Sequence, residues 1–444
     1  MRSTPILVLT RRRLLSLGAL AVAAPALTSC GDGGSGGDPG PADADAGPLR
    51  LVSSPVERQA ADPAALRTGA EAVAALVAPL WAGLGVGVED PGANGAFSPF
   101  SVAMALGMAT AGAAGATRRE MLDVLGADDV PALAAGCNAA ALDLEDRAGP
   151  VPDDPDERSI ELATADQVFG QHDVAWQQPF LDILARDFGT GVRTVDFAGD
   201  PEGARAAVNE WTAAQTRDRI EEIIPPGAFT PDTRMTLVNA LYLKAPWAKE
   251  FDKTLTQDAD FTLADGAVVP VPMMRATVAR SAVTGDWSTA QVLYAGGRLA
   301  MTVVVPRGEP DAVAAAVADG RLTELLSTEP VPATLRLPRW RFRTQRSLSS
   351  ALAEAGMPLA FSDDADFSGM TTQESLRIAD VLHQVFIAVD ESGTEAAAAT
   401  AIVMETTTAE VPPEREVAAD RPFLFCVHTD DGVPLFVGWC ADPR

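Results

Sequence analysis

Few side chains in this sequence could move a proton. It has three histidines, His172, His383 and His428, in 444 residues. No serine lies in a Gly-x-Ser-x-Gly elbow. There is no His-Glu-x-x-His, no Cys-x-x-Cys and no Walker-type loop. Gly83, Gly85 and Gly87 alternate without the spacing of a dinucleotide loop. His383 sits in the apolar run Val381-Leu382-His383, where a histidine is more often a hydrogen-bonded core residue than a catalyst. A Ser–His hydrolase stays formally open, but nothing supplies its oxyanion hole or orienting acid. No metal and no cofactor is expected.

The unusual stretch follows that histidine. Val385-Phe386-Ile387-Ala388-Val389 reads as an apolar strand, and Phe423-Leu424-Phe425 as another. Roughly thirty residues separate them, far more than an ordinary loop, and such loops are usually functional or disordered. The segment opens Asp390-Glu391-Ser392-Gly393-Thr394-Glu395 and runs through small residues to Thr406-Thr407-Thr408. At period two, one face carries Thr394, Ala396, Ala398, Thr400, Ile402, Met404 and Thr406, without a charge. Glu395 and Glu405 fall on the other face. A segment that must at some time bury one face in a sheet needs that segregation. An Ala-rich helix is the alternative reading.

This stretch resembles the proximal hinge of the serpin family. The matching residues are Glu391, Gly393, Thr394 and Glu395, then the small residues Ala396, Ala397, Ala398 and Ala399, then Thr400. The similarity extends over nearly all of the mature chain. Asn94, Ser98, Pro99 and Ser101 stand as in the serpin Asn-x-x-x-Ser-Pro-x-Ser signature; Ser98 and Pro99 alone would make a routine helix start. Asn209, Trp211, Thr216 and Ile220 follow the family pattern on a helix predicted over Ala204–Ile224 and stopped by Pro225-Pro226-Gly227. Val238-Asn239-Ala240, Lys244, Trp247 and Phe251 continue it, as do Val271 to Met274 and Phe361 to Gly369. One departure is Asp166, where the family usually has asparagine; the change is expected to cost a buried hydrogen bond.

The resemblance implies an α+β serpin fold: a large central mixed sheet (sheet A), two further sheets, about eight to nine helices and an exposed reactive-centre loop. It implies no catalytic residue. It places Ser98, Ser101, Asn239 and His383 in a hydrogen-bonded shutter beneath the point where the main sheet opens, and Trp247 in the breach. It further implies a suicide-substrate inhibitor of serine or cysteine endopeptidases. The target's nucleophile would attack a loop carbonyl and form an acyl-enzyme, and the segment from Thr394 onwards would then insert as a new strand. Counting from the hinge puts the reactive bond between Thr407 and Thr408. Counting back from Arg421-Pro422-Phe423 puts it about four residues later. Met404, Thr406, Thr407 and Glu410 are therefore the candidates on the acyl side. Most are small or apolar, which favours an elastase-like or subtilisin-like partner in a covalent 1:1 complex with a monomer. The alternatives are a non-inhibitory serpin (carrier or chaperone) and, from another class, a lipid-anchored solute-binding protein.

Arg11-Arg12-Arg13, the short apolar run Leu17 to Leu27 and the small residues after it read as a signal peptide over residues 1–29. The run is too short to anchor in a membrane. Thr10-Arg11-Arg12 resembles a twin-arginine signal, and Leu27-Thr28-Ser29-Cys30 resembles a bacterial lipobox. That resemblance implies lipidation of Cys30; an ordinary signal peptide with a chance cysteine is the alternative. Residues 30–50 read as a flexible tether and residues 51–444 as one domain. The expected location is outside the cell, on the membrane as a lipoprotein or secreted, touching the membrane only through the lipid on Cys30. A net charge of -27 argues against nucleic acid as a partner. Cys137, Cys426 and Cys440 form no disulfide framework. A Cys426–Cys440 bridge stays open as the alternative, although a turn near Asp430-Asp431-Gly432 would not put the two opposite each other; the leading reading is three small buried residues.

Overall fold

The computed structural model describes residues 49–85, 87, 90–309, 311–394 and 414–444. The leader, Cys30, the hinge residues Glu395 to Thr400, and Thr407 and Thr408 lie outside the described residues. Contacts divide the chain after Ala46, and the unit Gly47–Arg444 holds the elements that follow.

Among the described residues the main sheet has nine strands around Met235–Pro246, which is buried over nearly its whole length. Burial on both faces explains why it is largely apolar, broken by Thr236, Asn239 and Lys244. On one side come Gln167–Gln171, Val192–Val195 and Arg50–Val52; on the other, Gly393–Thr394, Val381–Val389 and Trp340–Ser347. Ser159–Thr164 also pairs with Met235–Pro246 and carries the short Gly149–Pro150 at its outer edge. Ser159–Thr164 and Gln167–Gln171 are separate strands, interrupted at Ala165-Asp166. Two further sheets have six and four strands.

Each face of the main sheet has its own core. Beneath it lies Pro99–Gly112, a helix with every residue buried. Such a helix needs no polar stripe, so its sequence shows no amphipathic period. Ser98 starts it, its Oγ accepting the Ser101 N–H at 3.2 Å. On the opposite face Pro201–Gln215 packs Trp211 edge-on against Phe169, with ring centroids 5.3 Å apart.

That second helix is shorter than the expected Ala204–Ile224. It stops at Gln215 because side chains take over the backbone groups. The Thr212 and Thr216 hydroxyls bond back to the Val208 and Thr212 carbonyls at 2.9 and 2.8 Å. Asn209 Oδ1 accepts the N–H groups of Ile223 and Ile224 at 3.1 and 2.8 Å, folding the chain back along the helix. Arg217 and Asp218 make the turn with positive φ, 53° and 60°. Nearer the start of the domain, the Ala- and Leu-rich stretch holds two consecutive helices, Leu66–Ala75 and Val77–Gly83.

Cys137, Cys426 and Cys440 are free and buried. Cys426 faces Val437 and Cys440 faces Phe423 across one antiparallel pair. Burial pushes the Cys137 thiol up to about 12, which leaves it unreactive. Among the described residues, no helix is long and apolar enough to cross a membrane.

Candidate functional site

The main sheet contains a fork. Val381–Val389 pairs in parallel with the central strand only from Val381↔Leu237 to Val385↔Leu241. Beyond that the two strands part, and Gly393–Thr394 sits between them. Thr394 lies opposite Val389 on one side and Ala245 on the other, and Gly393 lies opposite Pro246. The far edge of Val381–Val389 is meanwhile fully paired, from Trp340↔Val389 to Ser347↔Leu382. The first residues of the long loop therefore already occupy the mouth of the gap. Glycine is required at 393 because a Cβ there would stand 2.2 Å from the Ala245 carbonyl oxygen.

The root of the loop is held at every residue. Asp390 Oδ1 accepts the Ser392 N–H at 2.7 Å, and the Asp390 N–H donates to the Gly393 carbonyl at 3.0 Å, closing a tight turn. Trp247 Nε1 donates to the Asp390 carbonyl, and the Trp247 N–H donates to the Ser392 carbonyl, both at 2.9 Å. The Phe251 N–H takes the Glu391 carbonyl. The buried Glu391 carboxylate accepts from Arg339 Nε at 2.8 Å and from the Thr256 hydroxyl at 2.6 Å. Burial alone would raise that carboxyl, but these hydrogen bonds outweigh it and hold it below the ordinary range. Thr394 bonds the Tyr294 hydroxyl at 2.5 Å, and the Tyr294 ring stacks on Trp247 at 4.5 Å.

Below the fork, Ser98, Ser101, Asn239 and His383 come together, all fully buried. His383 Nε2 accepts the Ser98 N–H at 3.0 Å. Its proton is therefore on Nδ1, which donates to Asn239 Oδ1. The Ser101 hydroxyl reaches the same oxygen at 3.4 Å, and Asn239 Nδ2 donates to the Leu382 carbonyl at 3.4 Å. Asn239 and His383 are direct partners in the parallel ladder. Burial lowers the imidazole to about 4, so it stays neutral. Among the described residues no carboxylate bonds to it and no serine hydroxyl donates to it; the four side chains form a hydrogen-bonded latch.

Asp166 occupies the break between two sheet strands. Its Oδ1 is buried and has no hydrogen-bond partner among the described residues. Burial drives this carboxyl well above the usual range.

Sequence reasoning did not identify Tyr294, Thr256 or Arg339 as anchors of the loop root. A glutamate destined for burial does announce that it needs a cation. Nothing local selects Arg339, which is 52 positions away in the chain.

A family model described as "Serpin (serine protease inhibitor)" matches residues 86–443. Serpin-ZXA of Oryza sativa subsp. japonica is 32% identical over 375 residues, covering 79% of this chain and 91% of that protein. Human Serpin B3 is 33% identical over 370 residues, covering 78% and 93%. The crystal structure of the thermophilic serpin tengpin in its native state superposes with a TM-score of 0.73. It covers 88% of this chain and 97% of tengpin, at 22% identity. The chain belongs to the serpin family, whose members generally target proteases as inhibitors rather than acting as enzymes, although some are non-inhibitory.

Proposed function

We propose that this chain is a suicide-substrate inhibitor of serine or cysteine endopeptidases, disabling the acyl-enzyme by inserting its cut loop into the main sheet. The observation that carries this is the fork, with Thr394 seated between Val389 and Ala245. In an inserted loop that kept this register, each later residue would lie between two described neighbours: Ala396 between Ile387 and Leu243, Ala398 between Val385 and Leu241, and Ile402 between Val381 and Leu237. These six neighbours are buried and belong to the core beneath the sheet. The uncharged face of the loop thus meets the apolar face it would have to join. Glu395 falls beside Lys244 and Glu405 beside Arg234, which now pair with Glu161 and Glu374.

The same register puts Thr400 between His383 and Asn239. Insertion must therefore break the latch together with five parallel residue pairs. In exchange, the new strand makes antiparallel ladders on both sides. Parallel pairing is slightly the weaker per residue, so the exchange favours insertion once a cut frees the loop. The small hinge residues Ala396 to Ala399 pass between the strands with little steric cost, which lets insertion outrun hydrolysis of the acyl ester.

The reactive bond we propose is Thr407–Thr408. The small and apolar residues before it suit elastase-like or subtilisin-like targets. Incubation with proteases of both kinds tests the reading: an SDS-stable 1:1 adduct is expected. Clean loop cleavage with protease activity undiminished would reject it and leave a non-inhibitory serpin. Export and lipidation at Cys30 belong to the same proposal. They predict lipid labelling of the whole chain that is lost in Cys30→Ala.

A further inference from the structure

At the closed end of the fork, below Val381 and Leu237, the two chains stay together as far as Met235, whose carbonyl accepts the Ala379 N–H at 3.2 Å. An open groove of about 350 Å³ begins there. Asp232, Thr233 and Arg234 line it from one chain segment, and Leu376 and Arg377 from the other. Both arginines have partners. Arg377 Nε stands 3.3 Å from an Asp363 oxygen. Arg234 Nη1 donates to the Pro231 and Thr233 carbonyls at 2.7 and 3.0 Å, and Arg234 Nε donates to Glu374 Oε2 at 3.2 Å. That ion pair is incomplete. Glu374 Oε1 is buried and has no hydrogen-bond partner among the described residues. An unsatisfied buried oxygen is costly, so Glu374 fits Arg234 poorly, whereas the two carbonyls fix the guanidinium without its help.

Chain length and charge single out one occupant. Residues 395–413 lie outside the described residues, between Thr394 and Glu414. In an inserted strand that kept the pairing of Thr394 with Val389 and Ala245, Glu405 would stand between Ile378 and Arg234. Thr406 would then lie between Arg377 and Thr233, and Thr407 between Leu376 and Asp232. Five of these six flanking residues line the groove. Residues directly opposite in an antiparallel ladder have neighbouring side chains, so the Glu405 carboxylate would meet the Arg234 guanidinium. We propose that this groove seats the end of the inserted strand, and that Glu405 takes Arg234 from Glu374. A carboxylate that reaches Nε and Nη2 together makes a bidentate pair. Glu374, roughly a third exposed, is then released to water. This deepens the inhibitor reading and rests on it: the groove sets where the strand stops.

Melting temperatures of the intact chain, and of the chain cut beyond Thr406 with the position checked by mass, test this. Four proteins are compared: wild type, Glu405→Lys, Arg234→Gln and the double variant. Cutting should raise the wild-type melting temperature by about 10 °C or more. Glu405→Lys should leave the intact chain unchanged and take about 4 °C off the cut form. In the Arg234→Gln background the same substitution should cost the cut form about 2 °C or less. Whatever Arg234→Gln does to Glu374 in the intact chain is common to both members of that comparison and cancels. An equal loss in the two backgrounds, or no loss in either, would overturn the proposal and leave strand insertion standing. A wild type that gains nothing on cutting would overturn strand insertion and this seat with it.

Discussion

His383 and Asn239 face each other across the last closed stretch of the fork, with Nδ1 of one donating to Oδ1 of the other. The bond needs a neutral imidazole, and Ser98 fixes which nitrogen is bare. An unfolded histidine takes up its proton near pH 6.5, whereas the folded one resists until about 4. Between those values the unfolded state binds more protons, so this residue's contribution is complete above pH 6.5 and is lost as the pH falls towards 4. The full effect is on the order of 3 kcal/mol. Melting curves of wild type and His383→Gln between pH 7 and 4.5 isolate it. The wild type should lose its advantage on acidification, and a constant difference would contradict the assignment. Glu391, held low, loses its contribution only at more acidic pH.

Thr394 tests insertion directly. It is buried, with its hydroxyl on Tyr294 and its neighbours Val389 and Ala245 apolar. Thr394→Arg cannot leave its charge buried at that wall, so it would loosen the seated hinge of the intact chain, and the charge would have to be forced back between the strands as insertion begins. A rise of about 1.4 kcal/mol in the insertion barrier slows it tenfold relative to ester hydrolysis. The variant should be turned over as a substrate, with the stoichiometry of inhibition up by about tenfold or more. Undiminished adduct on denaturing gels would count against strand insertion.

Cutting the loop without trapping a protease should stabilise the molecule. The freed segment exchanges one parallel ladder for two antiparallel ones and buries Ile402 and Met404. The melting temperature should rise by about 10 °C or more after limited proteolysis. An unchanged value in a fully nicked sample would mean that the cut segment stays outside the sheet.

How much of this was legible in the sequence depends on the range of the interactions. The hinge pattern, the Ser98 cap and the apolar central strand are local, and local spacing reveals them. Asn239 advertised its need for a partner because a bare amide in an apolar strand is costly. The fork itself was not readable. Its register depends on Gly393 approaching Ala245, and on Trp247 and Tyr294 closing over the turn. These contacts join segments far apart in sequence. The early end of Pro201–Gln215 was missed for a related reason. The stop signal at Pro225 is strong, but Asn209 captures the Ile223 and Ile224 N–H groups before the helix reaches it.

Asp166 supplies the last prediction. Its carboxyl sits at the break between Ser159–Thr164 and Gln167–Gln171, with Oδ1 buried and unpartnered. Because burial raises it, the folded state keeps a proton that the unfolded chain gives up near pH 3.8. Stability is therefore greatest below that value and falls as the pH rises through the folded value. Asparagine carries no proton to lose and brings an N–H pair that can seek a carbonyl in the same space. Asp166→Asn should raise stability at pH 7 by about 1–3 kcal/mol, the usual cost of a buried group left unsatisfied. The gain should shrink as the pH is lowered towards 4. Denaturant melts of the two proteins at pH 7 and pH 4 measure both quantities. Equal stability at pH 7 would show that the wild-type carboxylate finds a partner in solution.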